Sequence, residues 1–199
     1  MILFVAMMLL VTVFGACPSG YTETTVSGES NICLQFVYQA IALTQSDFNT
    51  LCSSSYNGGY LVVQSTVAQR TATNTFAATG CASTSGCSSG SSGDRQIWIG
   101  VQLSGAASTA TQVIYSPSTG LGWATNTAVT SFFTPGSTTY WTLATEPDAG
   151  ETQVRLVISG SGTSSTGYTI SGWKGIGSTQ TFNFGIWYDI FIYHKYHFL

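Results

Sequence analysis

Apolar and polar positions alternate along most of this chain in short runs that glycine and serine interrupt, and stretches with a helical period are few. Asn31 to Val37, Tyr60 to Val63, Ile97 to Leu103, Gln112 to Tyr115, Gln153 to Ser159 and Tyr168 to Trp173 are β-branched or aromatic runs bounded by Gly and Ser, so each predicts a strand. In Ile97-Trp98-Ile99 the alternation sends the indole to one face of its strand and the two isoleucines to the other. Two short segments read as helices. Ser46 to Leu51 has Ser46 placed to cap its first turn and Asp47 at its positive end. Val67 to Ala78 sets Val67, Ala68, Ala72, Phe76 and Ala77 among polar residues. Gly80 to Gly93 is a Ser/Gly tract that predicts a surface loop. Ser116 to Thr139 has few regular signals and reads as a long loop, the kind of segment that often carries function. The pattern as a whole predicts an α+β domain with two short helices and a long-loop region.

The two ends differ from this pattern. Ile2 to Phe14 is apolar except for Thr12 and runs into Gly15 and Ala16. An apolar run of about 13 residues falls short of the ~20 needed to cross a bilayer as a helix, and small residues follow it. The expectation is a signal peptide over residues 1–15, cleaved after Gly15 with Val13 at minus three, and a secreted, extracellular protein. One domain over 16–187 and a C-terminal tail over 188–199 then remain. Phe184 to Leu199 is apolar but interrupted by Asp189 and Lys195. It is too short to anchor the chain in a membrane, so no membrane anchor is expected. His194 and His197 belong to this tail and are read as part of it, not as metal ligands.

Composition narrows the function classes. Only 7% of the chain is charged and the net charge is -3, which gives a nucleic-acid partner no electrostatic footprint. Aromatic content of 13% supplies enough burial to exclude simple disorder. The five cysteines are Cys17, Cys33, Cys52, Cys81 and Cys87, an odd number for an oxidising compartment. A Cys17–Cys33 pair would close a loop worth about 3 kcal/mol, and Cys81–Cys87 would tie a small one, leaving Cys52 over. The sequence does not fix this connectivity. Gly86-Cys87-Ser88-Ser89-Gly90 matches the Gly-x-Ser-x-Gly nucleophile pattern, which requires a strand before it, a helix after it and a triad histidine. With both histidines in the last six residues, no enzyme is expected. No Asn-x-Ser/Thr acceptor occurs.

A series of motifs carries a family resemblance. Cys17-Pro18-Ser19-Gly20-Tyr21 resembles the opening of long-form C-type lectin-like domains, and Gly58-Gly59-Tyr60-Leu61-Val62 resembles the entry to that fold's second strand. Ile97-Trp98-Ile99-Gly100-Val101 is similar to its core strand. Trp141 with Glu146-Pro147-Asp148 and Gly150-Glu151 is similar to its calcium and sugar loop. The motifs follow the family order over nearly all of residues 17–187, and the secreted, Ser/Thr-rich invertebrate members offer the best likeness. The resemblance implies a C-type lectin-like fold with two short helices and two small antiparallel sheets. It implies carbohydrate binding at Glu146, Pro147, Asp148 and Glu151, with a glycan or glycoprotein as partner. The same loop would hold Ca²⁺ through Glu146, Asp148 and Glu151, with Asn126 of the long loop as a further oxygen.

The chain also departs from the family. Gln153 and Val154 stand where a cysteine precedes a strand valine, and Trp187 stands near the place of the closing cysteine that pairs with the helix cysteine. Cys52 is thereby left either as a thiol or as a link between two chains in a dimer. Trp173-Lys174-Gly175 replaces the family's tryptophan-asparagine-aspartate, which completes the calcium shell. At ~4 Å and an effective dielectric of about 20, one lysine charge opposes a divalent ion by about 8 kcal/mol. Millimolar affinity is worth only about 4 kcal/mol. Two further readings therefore stand beside calcium-dependent sugar binding: a metal-free lectin-like interaction module, and a structural protein of the extracellular matrix. By burial statistics Trp98, Trp141 and Trp173 are expected in the core and not as sugar-stacking platforms.

Overall fold

The computed structural model describes residues 17–29, 31–55, 59–62, 64, 66–88, 95–104, 111–114, 142 and 150–189. The expected signal peptide, the long loop 116–139 and the tail beyond Asp189 lie outside these residues. In chain order the elements are β1 (Thr22–Thr24), β2 (Ile32–Leu43), α1 (Gln45–Ser55), β3 (Tyr60–Leu61), α2 (Val67–Ser83), α3 (Ser85–Ser88), β4 (Arg95–Ser104), β5 (Thr111–Ile114), β6 (Gln153–Gly160), a 3₁₀ turn (Ser165–Gly167), β7 (Tyr168–Ile176) and β8 (Phe182–Asp189).

The architecture is α+β, as the sequence predicts. All eight strands join one hydrogen-bonded sheet in the order β1-β2-β8-β4-β6-β7, with β3 against β8 and β5 against β4. The expectation of two separate antiparallel sheets gives way to this single network, which is mixed because β4 runs parallel to β8. The cause is β8 itself. Its residues read as the start of an apolar tail in the sequence, yet β8 pairs with β2, β3 and β4 and joins what would otherwise be two halves.

Both faces of the sheet are covered, so the central strands bury apolar residues on both sides. Leu34, Ile97, Ile99, Val154, Leu156, Ile158, Trp173 and Ile186 pack against Ala77, Ala78, Cys81 and Ala82 of α2. On the other face Trp98, Leu61, Val37 and Trp187 pack against Phe48 and Cys52 of α1. Ile97 and Ile99 therefore face away from Trp98, as the alternation predicts. Gly185 lets α1 approach β8: a Cβ there would stand 2.7 Å from Phe48 Cε1.

Several local expectations are corrected. Helix α1 starts earlier than expected, and its cap is Thr44, not Ser46. The Asp47 amide donates to Thr44 Oγ1 at 3.2 Å, and the Thr44 hydroxyl donates back to Asp47 Oδ2 at 2.7 Å. This reciprocal box satisfies a backbone donor that Ser46, already inside the helix, could not reach. Helix α2 extends to Ser83, and Ser85–Ser88 form α3, so the first half of the expected Ser/Gly loop is helical. The Cys81–Cys87 disulfide ties these two helices, and Cys17–Cys33 ties the N-terminal segment to β2. Cys52 belongs to neither bridge and is buried to 0% exposure. A dimer linked through Cys52 would require opening the core around Phe48 and Trp187, and this fold does not support it. Among the described residues no helix is long and apolar enough to cross a membrane.

Candidate functional site

The expected site segment is held at both of its described ends by β7. The Thr142 amide donates to the Trp173 carbonyl at 2.8 Å, and the Thr152 amide donates to the Ile176 carbonyl at 3.1 Å. Residues 143–151 connect these two anchors. Glu146, Pro147 and Asp148 lie in that connection and, like Asn126 and Trp141, are outside the described residues. Of the expected ligand set the structure places Glu151 alone. It is half-buried and follows Gly150, whose φ of 87° turns the chain into β6. The backbone so conformed disfavours any side chain at that turn.

Behind this edge the two placed tryptophans are core residues. Trp173 is fully buried, and its Nε1 donates to Gln64 Oε1 at 2.6 Å. Gln64 in turn donates to Asn74 Oδ1 at 3.1 Å, so an amide relay joins β7 to α2. Trp98 is also fully buried; its Nε1 donates to the Leu43 carbonyl at 2.8 Å and its ring packs on Phe182 at 4.6 Å. Neither indole offers a face to a sugar.

Lys174, one residue past Trp173, points to the opposite face and stands directly across from Arg155 of β6. Arg155 is 8% exposed, and its guanidinium lies over the Phe182 ring, 5.4 Å from the centroid. The strand that the resemblance assigns to completing a calcium shell thus carries a cation facing a second cation, with no side-chain oxygen at Gly175. That rung places two basic side chains where the resemblance expects oxygen ligands. Among the described residues no three His, Cys, Asp or Glu side chains converge.

The Gly-x-Ser-x-Gly match also lacks its context. Gly86 and Cys87 sit in α3, preceded by α2 and not by a strand, and Cys87 is buried in its disulfide. A nucleophile turn needs the strand to aim its serine outward.

One surface feature escaped the sequence reading. A groove of about 850 Å³ runs between α2 and the segment Thr22–Ser27. A smaller one of about 350 Å³ lies on the other flank of the same helix, against Ser165, Thr166 and Tyr168. The sequence signal for this ridge is the four-residue spacing of Thr71, Thr75 and Thr79, which puts all three on one helix face.

No family model and no curated protein matches this chain. Among solved structures, one described as the crystal structure of CEL-IV aligns over 87% of this chain and 93% of its own, with 18% identity and a TM-score of 0.48. A structure of the C-type lectin CEL-I from Cucumaria echinata aligns over 88% of this chain and 99% of its own, at 11% identity and a TM-score of 0.42. The EPNH mutant of CEL-I aligns over 88% and 98%, at 12% identity and a TM-score of 0.42. These alignments span most of this chain at 11–18% identity.

Proposed function

We propose that this chain is a secreted, lectin-like glycan-binding module whose contact surface is the segment 143–151. The observation that carries the reading is the pair of backbone bonds from Thr142 and Thr152 to β7, which hold that segment's ends to a strand of the sheet. Glu146, Asp148 and Glu151 are three of the chain's eight acidic residues. Ionised carboxylates accept hydrogen bonds from vicinal sugar hydroxyls, and charged acceptors make the stronger bonds. The low charge of the rest of the chain favours a neutral saccharide over an anionic one. Because the strand that would complete a calcium shell carries Lys174, paired with Arg155, we place the contact on the carboxylates themselves and not on a metal.

A glycan array probed with and without chelator tests both points. Selective hits that persist in chelator are expected, and Glu146→Gln with Asp148→Asn should weaken them at least ~10-fold, about 1.4 kcal/mol. An array without selective hits would reject the lectin reading in favour of a matrix role. A rise in melting temperature with millimolar calcium, lost in the same double variant, would instead establish the calcium-dependent form with Glu146, Asp148, Glu151 and Asn126 as ligands.

A further inference from the structure

The groove beside α2 is apolar despite its threonines. The hydroxyls of Thr71, Thr75 and Thr79 donate to the carbonyls of Val67, Thr71 and Thr75 at 2.9, 3.0 and 3.0 Å. With each Oγ1 turned onto the helix backbone, the methyl group is the part directed outward. Ala68, Ala72 and Phe76 line the groove between them, and Val67 at its end is 58% exposed. Among the described residues of the lining, Glu23 is the sole charged side chain.

Topology shows what emerges beside it. β1 and β8 are both antiparallel to β2, so they run in the same direction, toward the turn that follows β1. Asp189 is paired with Cys33, and Cys33 with Glu23, so the end of β8 stands two strands from the groove. At the usual strand spacing that is about 10 Å. The next ten residues, Ile190 to Leu199, include Ile190, Phe191, Ile192, Tyr193, Phe198 and Leu199, with Lys195 as their one Lys or Arg. Extended, ten residues reach about 33 Å. Helix α2 from Val67 to Thr79 is about 18 Å long.

We propose that residues 190–199 fold back into this groove, covering Val67, Ala72 and Phe76 and bringing Lys195 toward Glu23. A cysteine probe at Ala72 (Ala72→Cys) tests the proposal by its native-state labelling rate, with buried Cys52 as the internal control. Labelling should be at least tenfold slower in the full chain than in a chain stopped after Asp189. A peptide of residues 190–199 added to the stopped chain should restore the slow rate. If the stopped chain does not fold, the full chain carrying Phe191→Asp and Ile192→Asp replaces it, with the same expected acceleration. A Thr75→Cys, Tyr193→Cys pair should oxidise to an intramolecular disulfide. Equal labelling rates together with no cross-link would overturn the proposal. Protection that rises with protein concentration, alongside a dimer in sedimentation, would overturn it too and assign the groove to a second copy.

Discussion

Gln45 is the first residue of α1 and is fully buried, a position where sequence reasoning expects solvent. Its Nε2 donates to the carbonyls of Ile99 and Val101 at 2.6 and 2.9 Å, with Val154 at 3.4 Å. These carbonyls surround the break in register between β4 and β6, where the strands cannot serve one another fully. Gln45→Ala should therefore lower stability by about 3 kcal/mol, since each orphaned carbonyl costs about 1–3 kcal/mol. A urea titration checks this, and a loss under about 0.5 kcal/mol would show that water replaces the amide. Such residues were not legible in the sequence. Trp98 and its neighbours were, because strand alternation is a local property, whereas the need for Gln45 arises from carbonyls more than fifty positions away. The site residues fared differently: the sequence nominates Glu146 and Asp148, and only Glu151 of the set falls where the structure can position it.

Helix α2 shows how far the element scale can be read from sequence. Its apolar positions predicted it, and the Thr66 side chain caps it by accepting from the Gln69 amide at 3.1 Å. Glu29 reinforces this start by accepting from Gln69 Nε2 at 2.8 Å and from the Thr66 hydroxyl. Thr66→Ala should cost about 1 kcal/mol and lower the melting temperature by about 2–4 °C, whereas Thr66→Ser should retain most of it. Calorimetry on both variants distinguishes a cap from a packing role, because a packing role would make the serine variant lose stability too. Strands β1 and β8 were missed for opposite reasons. β1 is three residues long and polar, so it has no period to detect. β8 is apolar on both sides because it lies inside the sheet, which makes it resemble a featureless apolar tail.

At the scale of the whole molecule, one disulfide ties the N-terminal segment to β2, the other ties α2 to α3, and the remaining thiol lies in the core under α1. Cys52 lies beneath Phe48 and Trp187, so a thiol reagent should modify no cysteine in the native protein and one per chain after unfolding in denaturant. Non-reducing electrophoresis should show a single monomeric band, and a covalent dimer would contradict the burial. The order of the sheet has its own consequence for how the protein is made. β8, the last described strand to be synthesised, takes a place between β2 and β4, which are made long before it. Until β8 arrives, those strands hold open edges that no other described strand fills. The sheet can close only after β8 has been made, and contacts of such long range fold slowly. The sheet is thus assembled by its last described strand, which enters between partners that have waited for it.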